Sequence, residues 1–223
     1  MSSKEWDITP KEGPGGAGDV TEEEKNSIIN KAISKWKEMG LSMEEIALGI
    51  ATMNVESGFN PLAENPDPKS SAKGLGQFND LTWPDAVKYY NRHRAKGEPK
   101  IDPDSSRWDT DDQIKVMGPW LEHVYHEAVK YSLDPRLAGY SISEIAYGLW
   151  HEGVSKTNDK VDKVKKFLDG DFSKTWIKES FKDTYNTVWG DQLTEQDDAA
   201  DGTLEQDDED YGRGWRVEPD GDE

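Results

Sequence analysis

Among the residues of this chain, Glu56 stands where its neighbours could make it do chemistry. It closes an apolar helical run and opens the stretch "ESGFNPLAENPDPKSSAKGLGQF", residues 56 to 78. A helical spacing of 100° per residue puts Met43, Ile46, Ala47, Ile50 and Asn54 on one face and Glu56 at its edge, beside Gly49 and Thr52. A carboxyl bordering a core is partly desolvated, which disfavours its charged form and raises its pKa toward the working pH. Such a group is suited to general-acid work, donating a proton to a leaving oxygen. Acidic residues at helix edges are ordinarily solvated or paired, so the neighbouring stretch has to decide. There, Gly74 and Gly76 lack side chains that would block a ligand, and Gln77 offers a donor and an acceptor to an amide or hydroxyl. Those are the needs of an N-acetylated sugar. Alone, GLGQF reads equally as a tight turn with Leu75 and Phe78 plugged into the core.

Glu56 needs helices to hold it, and the periodicity supplies them. Thr21 with Glu24 forms a capping-box pattern, after which Ile28, Ile29, Ala32, Ile33 and Trp36 recur at helical spacing up to Gly40. Ser42 with Glu45 repeats the signature for the helix that Gly58 stops. Residues 60 to 81 carry prolines, asparagines and glycines around few apolar groups, which predicts a long structured loop or short hairpin. A helix from about Thr82 through Tyr90 follows. Thr110 with Gln113 is expected to cap a long helix through Ala128, kinked at Gly118-Pro119 where a backbone donor is missing. Ser141 with Glu144 opens a helix bearing Ile145, Leu149 and Trp150. Val161 to Leu168 mark a short helix, and Trp176 to Val188 the last.

Composition bounds the rest. The chain has 223 residues and no cysteine, which excludes disulfides, thiol nucleophiles and cysteine zinc sites. Only 33% of it is hydrophobic, but nine Trp, eight Tyr and five Phe supply enough buried area for one core. A net charge of −19 argues against nucleic acid and anionic membrane as partners, since both reward a basic face. No segment reaches the roughly 20 apolar residues of a membrane span, and the first residues carry no apolar signal core. The chain is therefore expected to be made in the cytoplasm and not to insert into a membrane. Residues 1–20, rich in Gly and Pro, predict a flexible leader. Residues 191–223 hold fourteen acidic and two basic residues, a net of −12, and predict a tail that does not fold alone. Residues 21–190 remain as the folded domain.

Two sequence elements together resemble the soluble lytic transglycosylase branch of the lysozyme-like superfamily. "ESGFNPLA" at 56 to 63 matches that family's Glu-Ser followed by Gly-Phe-x-Pro-x-Ala, and "SAKGLGQF" at 71 to 78 matches Ser-x-Ala-x-Gly-Leu-x-Gln. The resemblance implies a mainly α lysozyme-like domain of about seven helices with a small β/loop region. It implies Glu56 as catalytic acid and base, with Ser57, Gly74, Leu75, Gln77 and Asn79 as substrate-binding positions. A third family element, Ala-Tyr-Asn-x-Gly, is degenerate in "AYGLWHEG". One register pairs it with Trp150, His151 and Gly153; the other uses Ala146-Tyr147, with Gly148 in place of Asn. Spacing favours the first, and Tyr147, Trp150 and His151 are all cleft candidates.

By resemblance the activity is cleavage of the β-1,4 bond between N-acetylmuramic acid and N-acetylglucosamine in peptidoglycan glycan strands, without metal or cofactor. Glu64, Asp67, Asp80 and Glu152 are near enough in sequence to be considered as a second carboxylate, but none occupies a motif position. A lysozyme-type hydrolase and a non-catalytic wall-binding or virion scaffold are the alternative readings. Trp83 is a further cleft candidate. His123 and His126, at i and i+3, lack a third metal ligand. "DPDSSRWDTDD" alternates oxygens like a calcium loop but puts Arg107 at the glycine position. An unsignalled acidic lytic enzyme needs delivery to the periplasm or cell wall, by a phage virion, a secretion machine or release with a phage holin, with the tails as docking segments or, for the C-terminal one, merely a solvating extension.

Overall fold

The computed structural model describes residues 4–10, 20–104, 107–154, 157 and 159–200. Seven α-helices follow in order: α1 (Glu22–Glu38), α2 (Met43–Ser57), α3 (Thr82–His93), α4 (Thr110–Tyr131), α5 (Ile142–Glu152), α6 (Lys160–Asp169) and α7 (Thr175–Ala200), with a 3-10 turn at Pro135–Leu137 before α5. The fold is mainly α, as periodicity predicts. Two isolated antiparallel bridges, Glu64 to Lys73 and Lys73 to Phe78, are the β structure among the described residues, and both lie in the loop between α2 and α3.

The predicted capping boxes close α1 at Thr21, α2 at Ser42 and α5 at Ser141, each with its glutamate three residues on. At α4 the expected cap moves by one residue. Asp109 is the N-cap, its carboxylate accepting from Asp112 N, and Thr110 is the first helical residue. A carboxylate is at least as good a cap as a threonine hydroxyl and also opposes the positive end of the helix dipole. Gln113 is thereby released for another task. α4 runs unbroken through Pro119.

α2 is the hub. Periodicity predicts a one-sided apolar stripe, but α2 is buried on all sides from Glu45 to Val55, packed against α1, α4, α5 and α7. A helix apolar nearly all round is suited to that position. Close packing comes from Trp36 of α1, wedged between Gly49 of α2 and Gly118 of α4. A Cβ at Gly49 would sit 2.5 Å from the Trp36 ring, and one at Gly118 would sit 2.8 Å from it. The indole of Trp36 donates to Ile114 O at 2.9 Å, next to the turn where Pro119 interrupts the ladder.

α7 lies along α2. Asn54 Nδ2, buried in α2, donates to Thr184 Oγ1 at 2.8 Å and to Ser180 Oγ at 3.3 Å. The helical backbone of α7 continues to Ala200, ten residues past the expected end of the domain at Gly190. Those residues offer no apolar stripe, so periodicity is silent, but Gln, Leu, Glu and Ala propagate a helix that packing has already nucleated.

Residues 4–10 depart from the expectation of a flexible leader. Trp6 and Ile8 are buried in the core. The reason lies in polar partners that hydropathy does not reveal. Trp6 N donates to Asn26 Oδ1 at 2.8 Å and Trp6 Nε1 to Asn30 Oδ1 at 3.0 Å. The buried ammonium of Lys25 donates to Trp6 O at 3.2 Å and Ile8 O at 2.7 Å, and pairs with Glu22 at 2.5 Å. Thr9 O accepts from Asn54 Nδ2 at 3.1 Å, which fastens the strap to the hub helix. The other parts of the expected tails, residues 1–3, 11–19 and 201–223, lie outside the described residues. Trp6→Ala is expected to lower stability by about 3 kcal/mol, as large-to-small changes of buried aromatics do. Chemical denaturation of the full chain measures it, and a loss under about 1 kcal/mol would mean the strap is peripheral.

Candidate active site

Between Glu45 and Phe59, Glu56 is the one residue that is not buried. The hub helix reaches solvent there and nowhere else along that span. Its end is fixed by Gly58, in the left-handed region at φ 57°, whose N–H bonds Asn54 O at 2.9 Å. Phe59 follows at φ 66°, a backbone that non-glycine residues rarely adopt, with its ring fully buried. Core packing thus holds the turn that aims Glu56.

Tyr147 of α5 donates its hydroxyl to Glu56 Oε1 at 2.8 Å. Its ring is buried among Phe167, Phe172 and Phe181, with centroids 5.8, 5.6 and 4.9 Å away. Burial first, and then the Glu56 charge and hydrogen bond, push the phenol well above its ordinary pKa. It therefore remains a protonated, neutral donor at any working pH, orienting the carboxyl without adding charge.

Glu56 opens into a cleft of about 450 Å³. Gly76, Gln77, Phe78 and Asn79 of the α2–α3 loop line it, as do Asn65, Ser70 and Ala72 earlier in that loop. Leu81, Thr82 and Asp85 approach from the start of α3, Trp120 from α4, and Trp150, His151, Glu152, Gly153 and Val154 from the end of α5. Of the expected positions, Glu56, Gln77, Asn79, Trp150 and His151 share the cleft. Gln77 stands at φ 49°, with Nε2 donating to Gly74 O at 3.0 Å and Ala63 O at 3.2 Å, so its nitrogen is committed to the loop. Asn79 Oδ1 accepts from Leu81 N and Thr82 N, both at 2.9 Å, and begins α3. The Trp150 indole donates to Gly76 O at 3.0 Å, and a Cβ at Gly76 would sit 2.7 Å from its ring. Glycine there is required by the close approach of Trp150. His151 stacks on Phe167 with centroids 4.1 Å apart, and its Nδ1 lies 3.2 Å from Glu152.

Ser57, Gly74 and Leu75 do not line the cleft; they hold its wall from behind. Ser57 Oγ donates to Met53 O at 3.0 Å and Leu75 O at 2.9 Å, which ties the loop to the end of α2. The Leu75 side chain is fully buried, so the plug reading of GLGQF describes Leu75 and Phe78. Gly74 has φ 75°, and a Cβ on it would meet Gln113 Oε1 at 2.4 Å. Gln113 is the residue that spacing missed. Buried on α4, it accepts from Leu75 N at 2.6 Å and donates to Pro61 O at 2.9 Å, clamping both strands of the loop with one amide. A glutamine three residues past a cap imitates a capping box, and nothing in its local sequence announces a long-range clamp.

The expected second carboxylates separate. Glu64 is exposed and pairs with Lys73 at 3.3 Å, Asp80 pairs with Arg107 at 2.6 Å, and Asp67 accepts from Lys69 N at 2.9 Å. None of them lines the cleft, whereas Glu152 does, together with Asp85. Arg107 also reaches Phe78 O at 3.3 Å, so the calcium-like segment serves as a brace. Trp83 is a core residue, donating to Pro103 O at 3.0 Å. Among the described residues no three His, Asp or Glu converge as a metal site, and no helix is long and apolar enough to cross a membrane.

A helical domain whose buried hub helix surfaces at a single glutamate, in a cleft walled by a clamped glycine-rich loop, defines a lysozyme-like enzyme. The sequence matches the model of the phage tail lysozyme family over residues 27–169, and the chain belongs to that family. Comparison with curated proteins and with solved structures found no match. Family membership carries a lysozyme-like, glycan-cleaving function directed at peptidoglycan. Phe172 and Phe181, which close the cage around Tyr147, lie beyond the matched residues.

Tyr147→Phe keeps the ring in its cage and removes the donor that orients Glu56. It is expected to lower kcat on purified peptidoglycan roughly tenfold to a hundredfold, with little change in melting temperature. Undiminished kcat would separate the hydroxyl from the chemistry.

Proposed function

We propose that the chain is a lytic transglycosylase that cleaves the β-1,4 bond between N-acetylmuramic acid and N-acetylglucosamine. The carrying observation is the Glu56 carboxyl, surfaced from a buried helix and oriented at 2.8 Å by the Tyr147 hydroxyl. Glu56 gives a proton to the glycosidic oxygen as its bond to the muramic anomeric carbon breaks. The N-acetyl oxygen of the same sugar bonds that carbon and carries the positive charge. The Glu56 carboxylate then takes the proton of the 6-hydroxyl, whose oxygen displaces the N-acetyl group. A 1,6-anhydro product leaves and Glu56 is protonated again. This sequence needs one carboxyl group and no second one.

The runner-up is hydrolysis of the same bond, favoured by Asp85 and Glu152 in the cleft lining. In a two-carboxylate enzyme one of them would serve as nucleophile or base. Mass spectrometry of released muropeptides distinguishes the two: anhydromuramic ends are expected from the transglycosylase. Reducing ends that disappear in Asp85→Asn or Glu152→Gln would establish the hydrolase. Under either reading Glu56→Gln, nearly isosteric and unable to deliver a proton, is expected to reduce turnover at least a thousandfold with the fold intact. Activity above a few per cent in that variant would move the acid elsewhere.

The same proposal includes the route to the wall. Membership in a phage tail family and the strongly acidic C-terminal segment support delivery as a virion component, with residues 201–223 docking on a basic receptor through Tyr211, Trp215 and Val217. Deleting residues 201–223 is expected to leave cleavage of purified peptidoglycan intact and to remove the protein from particles, read by immunoblot of purified virions. Normal incorporation of the truncated chain would defeat the docking idea, and lost activity on purified wall would assign the segment to the enzyme.

A further inference from the structure

The tryptophans of this chain are not used alike. Those of Trp6, Trp36, Trp83 and Trp150 donate their indole N–H to Asn30 Oδ1, Ile114 O, Pro103 O and Gly76 O, at 3.0, 2.9, 3.0 and 3.0 Å. Each of these rings is a structural strut with its polar atom satisfied. Trp120 shares the cleft wall with Trp150 and is half-buried like it, but differs in its polar atom: its indole N–H meets no acceptor among the described residues.

The ring is nevertheless fixed. Tyr89 of α3 meets it edge-on with centroids 5.9 Å apart, and His123, one turn along α4, packs on it at 5.4 Å. Tyr89 in turn stacks on His123 at 4.9 Å and on His93 at 4.1 Å. Burial holds the His123 imidazole below its ordinary pKa, so the backing is neutral at neutral pH. An aromatic plate braced from behind, with an open donor, loses little conformational entropy when something stacks on it.

Asp85 lines the same cleft. It lies four residues before Tyr89 on α3, hence on the same helix face, and makes no hydrogen bond or ion pair among the described residues. An apolar plate and an open acceptor in one cleft match a pyranose ring, which offers axial C–H groups on one face and hydroxyls at its rim. A strongly anionic ligand is disfavoured there, because Asp85, Glu56 and Glu152 line the cleft and no Lys or Arg does.

We infer that Trp120 and Asp85 form a binding subsite for an N-acetylhexosamine ring of the glycan, separate from the Glu56–Tyr147 pair that α2 and α5 supply. The inference rests on the proposed glycan-cleaving function and names a residue that grips the strand away from the reacting atoms. Trp120 then contributes binding that is equal in ground and transition states, so its loss raises KM and spares kcat.

The test uses full-length protein carrying Glu56→Gln, so that binding is measured without turnover. Titration calorimetry with the β-1,4-linked hexamer of N-acetylglucosamine compares it with the double variants that add Trp120→Ala or Trp120→Phe. Trp120→Ala is expected to weaken binding about tenfold, and Trp120→Phe, which keeps a plate but loses the N–H, by about threefold. In the otherwise wild-type chain, Trp120→Ala is expected to raise KM by a similar factor and leave kcat within about twofold. Equal hexamer affinity in the Trp120→Ala and Glu56→Gln proteins, with matching melting temperatures, overturns the subsite. So does a loss confined to kcat. If the wild-type chain releases no muropeptides while Trp120→Ala still weakens hexamer binding, the subsite stands and the cleavage reading falls. If the Glu56→Gln protein does not bind the hexamer at all, the subsite falls, and muropeptide release by the wild-type chain decides the cleavage reading separately.

Discussion

A helix buried on every side can offer a functional group only where its burial stops. α2 is such a helix, and Glu56 is the point at which it stops. Moving the carboxyl by even one residue would turn it about 100° around the axis, to the buried position of Val55 or Ser57. The rest of the fold works to keep that single exposure in place. Trp36 locks α1 and α4 onto α2 through two glycines, and Asn54, two residues before the acid, is bonded to Thr9, Ser180 and Thr184. The N-terminal strap and α7 extend outside the family-matched span at its two ends, yet both meet at this asparagine.

The cleft wall follows the same logic of fixation from behind. A loop as long as residues 60–81 would be mobile on its own. Here two polar side chains on different helices replace the missing sheet: Ser57 at the end of α2 and Gln113 on α4 each bond the backbone of Leu75, one at its O and the other at its N. Buried amide and hydroxyl groups bonded in this way are costly to leave unpaired, so the loop has one arrangement rather than several. Gly76 then brings the backbone against Trp150, joining the loop to the end of α5.

Helix content and order were legible because capping boxes and apolar periodicity agree at α1, α2 and α5. The cleft position of Glu56 was legible from its place at the end of an apolar run, and the GLGQF wall from its glycines. Three things were not. Burial of α2 on all sides reads as a stripe when only the large apolar residues are counted, since Gly49, Ala51 and Thr52 complete the buried surface without announcing it. Residues 4–10 read as linker because they are held by Lys25, Asn26 and Asn30, polar side chains whose partners are seventeen or more residues away. Third, Ser57, Gly74 and Leu75 belong to the motif without facing the cleft. A motif records every position that a site constrains, and packing behind a wall constrains residues as tightly as contact in front of it.

Charge sets a last constraint. With a net charge of −19 and three carboxyl groups lining the cleft, this enzyme cannot be drawn to an anionic wall by its long-range field. That repulsion is screened over about 8 Å at physiological salt. Inside that distance the uncharged part of the cleft lining counts for more, including Trp120, Trp150, Gln77 and Thr82. A carrier that holds the enzyme at the wall raises its effective concentration and removes the need for a basic surface. Cationic steering and physical delivery are alternative solutions to one problem, and an acidic lysozyme in a phage tail family has the composition that the second permits.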